Sequence, residues 1–170
     1  MSWKSATRSV AAAVLVLMSA ACVPIGRDDR VDMKEADLVG DWTSTDSRTF
    51  TFDAGGRFVA TGLPHQKLER FTGVLPPGFD PARDKLDGSG EWKLEAPRDD
   101  PRTPRNHVDL FLRQLSGRQV AVGMDLRVER RDGKVVLAYY LSDPDQGNRI
   151  VYEKCEQPCA GATPEPTATG

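Results

Sequence analysis

Gln119-Val-Ala-Val-Gly-Met-Asp-Leu-Arg-Val-Glu-Arg-Arg-Asp-Gly-Lys-Val-Val-Leu-Ala-Tyr-Tyr-Leu141 is the stretch that decides the fold. Val120, Val122, Met124, Leu126 and Val128 alternate with Ala121, Gly123, Asp125, Arg127 and Glu129, and a period of two is the signature of a half-buried strand. Asp132-Gly133 then supplies the two positive φ angles of a tight hairpin turn, and Val135, Leu137, Tyr139 and Leu141 follow. With Arg131 opposite Lys134, the register sets Val128 against Leu137, Leu126 against Tyr139 and Met124 against Leu141. Both strands then carry their apolar set on one face.

Outward from this hairpin, residues 107–114 form a preceding strand with Val108, Leu110 and Leu112 on one face, and residues 149–153 form a following one after a Pro-containing turn at 143–148. Upstream, residues 34–38 suit one helical turn and a strand opens at Trp42. Residues 49–52 and 57–61 fold about Ala54-Gly55-Gly56, which sets Phe52 opposite Phe58 and Phe50 opposite Ala60. Residues 90–95 complete the set. Eight short antiparallel strands in a chain this small give an all-β class, and an eight-stranded antiparallel meander barrel buries one face while leaving no edge exposed. A β-sandwich is the alternative that the same pattern permits. Phe50, Phe58, Leu110, Leu126 and Leu137 are expected to meet inside. Tyr139 and Met124 suit a mixed apolar cavity, whereas a solid core is the ordinary state of a small barrel.

Residues 62–88 break the pattern. Pro64, Pro76, Pro77, Gly78 and Pro81 bar a central strand, and a connection this long in a small domain is either functional or a cover folded back on the sheet. Leu63, His65, Leu68, Phe71, Val74, Leu75 and Phe79 are more apolar surface than a solvated linker needs, so the segment is expected as a lid over a ligand site, a docking edge, or simply a cover. In an up-and-down meander alternate connections share an end. This segment therefore lies opposite the entry to the first strand and the exit of the last.

The N-terminus reads as targeting. Lys4 and Arg8 precede an apolar run at 10–21, so residues 1–21 form a secretory signal peptide, too short to anchor as a bilayer span. Ser19-Ala20-Ala21-Cys22 resembles a bacterial lipobox, with serine in place of the usual leucine. The resemblance implies cleavage before Cys22 and attachment of diacylglycerol, with palmitate-type chains, to its sulfur. Three cysteines are odd, and acylating Cys22 leaves Cys155 and Cys159 as a pair in an oxidising compartment, read as a local disulfide. Residues 22–35 then form a short tether, 36–155 the barrel domain, and 156–170, rich in Pro, Thr and Ala, a disordered tail. The expected location is extracytoplasmic, on the outer face of the cell membrane.

Among 170 residues, 39 % are hydrophobic and 28 % charged, ordinary for one globular domain. The formal net charge is −2, and losing Lys4 and Arg8 with the signal makes the remainder more acidic, so nucleic acid is not expected as a partner. His65 and His107, the only histidines, lie far apart and outside any metal-ligand spacing. No nucleophile elbow, phosphate loop or His-Glu-x-x-His is present, and Asp143, Asp145 and Gly147 match only a fragment of a calcium loop. A non-enzymatic chain with no cofactor and no metal is expected.

Leu38-Val39-Gly40-Asp41-Trp42, after a helical turn and opening the first strand, resembles the Gly-x-Trp signature of the lipocalin and calycin barrels. The resemblance implies that Gly40 and Trp42 close one end of the barrel, with a basic side chain of the last strand, Arg149, over the indole. From signal to last strand the chain is similar to small secreted lipoproteins of high-GC Gram-positive bacteria, a group whose function is unassigned. The expected partners are the membrane, through the lipid, and a small apolar or amphipathic ligand or an envelope protein. The alternative is a secreted-protease inhibitor of the small-barrel type.

Overall fold

A computed structural model describes residues 31–96 and 105–156. Eight strands follow in order: β1 (Gly40–Ser44), β2 (Thr49–Phe52), β3 (Arg57–Thr61), β4 (Gly88–Glu95), β5 (His107–Leu115), β6 (Arg118–Arg131), β7 (Lys134–Tyr140) and β8 (Arg149–Lys154). Each pairs antiparallel with its neighbour in sequence, and β8 returns to β1, so the sheet closes as a meander barrel and not as a sandwich. Short helices α1 (Glu35–Leu38) and α2 (His65–Leu68) lie outside the ladder.

The alternation that identifies the strands also fills the barrel. Phe50, Phe58, Leu110, Leu126 and Leu137 are all buried, and the turn about Gly55 pairs Phe52 with Phe58 and Phe50 with Ala60 as expected. Phe50 stacks on Phe52 at 5.7 Å and meets Tyr152 edge-on at 5.0 Å, while Trp92 stands edge-on to Phe52 at 5.9 Å. Such pairs add to the burial of the rings themselves. The Trp92 indole N–H is satisfied by the Asp53 carbonyl at 3.1 Å. The solvent side of the strands carries Arg57, Glu91, Lys93, Arg113 and Glu153. A charged exterior around an apolar interior is the reverse of a lipid-embedded barrel.

The central hairpin departs from expectation in one respect. Asp132 and Gly133 have φ of 50° and 81°, and Val128 pairs with Leu137, but the β6–β7 ladder ends at Arg127↔Ala138. The expected pairs Leu126–Tyr139 and Met124–Leu141 are not formed. The first half of β6 stays with β5, the end of β7 stays with β8, and between them Lys67 of α2 reaches Asp125 at 3.4 Å and the Tyr139 ring at 4.8 Å. A side chain from the long connection thus bridges the place where two strands part. On β7 both faces are buried, because outward Tyr140 lies between the guanidinium groups of Arg127 and Arg149, at 5.2 and 5.6 Å.

Two boundaries also shift. β4 starts at Gly88, two residues before the expected position, with a register shift between Ser89 and Gly90. The last residues of the expected tether are packed on the barrel: Met33 is buried and its N–H donates to the Arg105 carbonyl at 3.1 Å, while Asp32 accepts from the Arg105 N–H at 3.0 Å. The apolar side chains of Val31 and Met33 explain why this part does not stay in water. The expected Cys22 attachment, the Cys159 half of the expected disulfide and the tail beyond residue 156 lie outside the described residues. Cys155 follows β8 and its N–H donates to the Asp41 carbonyl at 2.9 Å.

Candidate functional site at the lidded end

The connection from β3 to β4 is an Ω-like loop whose neck is pinched shut. Leu63 N–H donates to the Leu86 carbonyl at 2.7 Å, Gly62 N–H to Asp87 Oδ1 at 3.1 Å, and Arg48 Nη1 to the Gly62 carbonyl at 3.0 Å. Leu63 and Leu86 are buried in the core, and Gly88 leaves the room that Leu63 needs, since a Cβ there would stand 2.7 Å from Leu63 Cδ1.

Within the loop, α2 is a single turn that could not persist alone. Leu68 holds it: the side chain is fully buried, which contributes about 1.5–3 kcal/mol. The half-exposed Lys67–Asp125 pair adds only about 0–1 kcal/mol. His65 is half-buried, facing Glu69 Oε1 at 3.4 Å and the Phe79 ring at 5.9 Å, so it braces the loop. Val74, Leu75 and Phe79 pack against the core from above, and Phe71 is 43 % exposed. At the far turn Arg118 donates to the carbonyls of Gly73 at 3.3 Å and Leu75 at 2.9 Å. The outer part of the loop is thus stapled by one arginine, while its neck belongs to the core. Arg118→Ala should therefore raise the rate of proteolytic nicking between residues 71 and 85 several-fold while the nicked barrel keeps its tryptophan fluorescence. Loss of that fluorescence on nicking would show the segment to be core and not a lid.

Three hydroxyls are buried towards this end of the barrel. Tyr139 Oη, Tyr152 Oη and Ser142 Oγ are buried and have no hydrogen-bond partner among the described residues, and they are three of four such atoms; the fourth, Asn106 Oδ1, belongs to the entry to β5 at the opposite end. Both tyrosines are fully buried, and burial first of all pushes their phenols well above the usual range. Asp125 and Tyr152 add to the rise at Tyr139 and Arg70 opposes it, whereas at Tyr152 Arg48 opposes and Asp46 adds. Each phenol is therefore a neutral donor. An unpaired buried hydroxyl costs about 1–3 kcal/mol, so three at one end call for an explanation. In the sequence a tyrosine at an inward position reads as apolar bulk, and nothing there marks its hydroxyl.

At the other end, Trp42 is buried and its indole N–H donates to the Leu38 carbonyl at 2.8 Å. The cation over the indole is Lys154 at 5.7 Å, not Arg149, and the lysine stem passes Gly40 on its way to the Asp37 carbonyl. Arg149 pairs instead with Glu129 at 3.4 Å and donates to Tyr140 Oη at 3.0 Å. The reason is the register: Trp42 faces Lys154 across the β1–β8 ladder, while Arg149 starts β8 at the lidded end beside Tyr140.

A depression of about 840 Å³ opens on the outer face of β4, β5 and β6, lined by Glu91, Lys93, His107, Asp109, Phe111 and Gly123. Several of its charges are already engaged: Lys93 with Glu95, Glu91 with Arg113 at 3.2 Å, and Asp125 at its edge with Lys67. It presents less unmet hydrogen-bonding demand than the lidded end. Among the described residues no three His, Cys, Asp or Glu side chains group as a metal ion would require, and no helix is long and apolar enough to cross a membrane.

Fold and site together define a closed antiparallel barrel, one end of which is covered by a pinned loop. No family model, curated protein or solved structure matches the chain.

Proposed function

We propose that the chain is a non-catalytic binding protein of the cell envelope, a lipocalin-like barrel held to the outer face of the cell membrane by a lipid on Cys22. It takes an apolar or amphipathic small molecule beneath the lid. The observation that carries this reading is that the Tyr139, Tyr152 and Ser142 hydroxyls, at the end covered by the long β3–β4 loop, are buried and without a hydrogen-bond partner among the described residues. The lipocalin likeness is supported by Trp42 lying closed in by α1 and under Lys154 at the opposite end. Because β1 enters and β8 leaves at that end, the tether is there, and the lid points away from the membrane.

Two measurements test the reading separately. Full-length protein should partition into detergent with a mass raised by diacylglycerol, and Cys22→Ala should be released in soluble form. Native mass spectrometry of the released protein should show a small molecule ejected on activation. Release of the wild type without lipid would end the anchoring proposal. A protein that neither carries nor takes up any apolar probe would end the carriage proposal.

A further inference from the structure

Closure of the barrel leaves one seam open. Val128 N–H donates to the Asn106 carbonyl, so the even-numbered residues of β6 turn their backbone groups to β5, and the odd-numbered Arg127, Glu129 and Arg131 turn theirs to Ala138, Val136 and Lys134 of β7. Asp125, Gly123, Ala121 and Gln119 continue the odd-numbered series, but no residue of β7 stands opposite them, because the end of β7 stays with β8. Among the described residues no other backbone group bonds to theirs on that side.

An open sheet edge is ordinarily guarded by charge, proline or a covering segment. Here the run from Gln119 to Met124 carries no charge and no proline, and Gln119, Ala121 and Gly123 are exposed. The ion pair and hydrogen bonds by which the long β3–β4 loop holds β6 lie at the two ends of this run, through Arg118 to Gly73 and Leu75 and through Lys67 to Asp125. Beside Gly123 there is open space, since an added Cβ meets nothing within 4 Å.

We propose that the seam joins two copies of the chain, β6 paired antiparallel with β6 about a two-fold axis at Val122. In this register Ala121 exchanges backbone hydrogen bonds with Gly123 of the second copy and Gln119 with Asp125 of the second copy, and symmetry repeats each pair. The occupant is a second copy because the run is complementary to itself. Each acid faces an amide that can donate to it, like charges never stand opposite, and the outward side chains at the crossing are only those of Ala121 and Gly123, so the two barrels can approach. The contact is small, so association is weak and depends on concentration.

The test uses the full chain carrying Cys22→Ala, so that acyl groups do not drive association. The mass from light scattering should rise from that of one chain toward that of two between about 1 and 200 µM, the range of small interfaces. Hydrogen exchange at the upper concentration should slow several-fold at the amides of Gln119, Ala121, Gly123 and Asp125 and stay unchanged at Val120 and Val122, which already face β5. Gln119→Lys, opposite the acid, should tighten the dimer several-fold at low salt, and Gln119→Asp should weaken it. Ala121→Pro removes an N–H that only the seam uses and should leave a monomer; Ala121→Lys, at the exposed surface, should do the same and serves should the proline variant fail to fold. A dimer that Ala121→Lys and both Gln119 variants leave unchanged would overturn the proposal, because the contact would lie elsewhere. A chain monomeric throughout would overturn it as well, and slowed exchange of the same amides on adding an extended peptide of alternating valine and threonine would then give the edge to a foreign strand.

Discussion

Gly90→Ala should lower the unfolding free energy by at least about 3 kcal/mol, at the upper end of what overpacking costs and a large part of the roughly 5–15 kcal/mol that a domain has. At the register shift between Ser89 and Gly90, β4 passes so close to β5 that an added Cβ would stand 2.0 Å from the Phe111 carbonyl oxygen, 2.9 Å from its carbon and 3.0 Å from Leu112 Cα. All three are backbone atoms, so no rotamer change relieves the clash and the strands must separate. Separation would act on Leu110 and Leu112, both buried on β5. Gly123→Ala is the matched control, a strand glycine on β6, on the other side of β5, with nothing within 4 Å of its added Cβ. It should shift stability by no more than about 0.5 kcal/mol, because nothing there has to move. Urea unfolding of the two variants followed by tryptophan fluorescence makes the comparison. Equal midpoints would mean that the close approach of β4 to β5 at Gly90 is wrong.

The same contrast explains what could be read from the sequence. Strand facing follows from period-two patterning, which needs no knowledge of neighbours: Phe50 and Leu126 are flanked by polar residues on both sides, and they end inside together with Phe58, Leu110 and Leu137. Where two residues are brought together by the stagger of the closed barrel, pattern alone misleads. The β6–β7 ladder stops at Arg127 because the strands diverge to different partners, and the gap is bridged by Lys67 from a loop that carries no periodic signal. The cation over Trp42 is likewise set by the register of β8 against β1, a long-range quantity, and proves to be Lys154. Of the expected lid residues, Leu68 and Leu63 are core, Leu75, Phe79 and His65 form the intermediate layer, and Phe71 is exposed. The buried hydroxyls could have been suspected from tyrosines at inward positions 139 and 152, but only the packing around them reveals that neither finds a hydrogen-bond partner among the described residues.

Alkaline titration should produce the second large effect. The chain has three tyrosines, Tyr139, Tyr140 and Tyr152, and all are buried. Burial is the leading cause of a raised phenol pKa at each; at Tyr140 the hydrogen bond to Glu129 adds to it and Arg149 opposes it. The folded state therefore holds these protons more tightly than the unfolded chain, whose phenols ionise near the ordinary value of about 10. Stability from this source is fully present below that value. It falls as pH rises above it, because the unfolded chain then releases protons that the barrel retains, at about 1.36 kcal/mol for each unit and each group. Three groups acting in the same direction make the decline steep. Phenolate absorbance should stay nearly flat through pH 10 and then appear together with the loss of tryptophan fluorescence in one base-induced transition. If instead the three phenols titrate near the ordinary value while the fluorescence is unchanged, water reaches them in the folded barrel. The hydroxyls beneath the lid would then be solvated, and the need for a ligand to satisfy them would disappear.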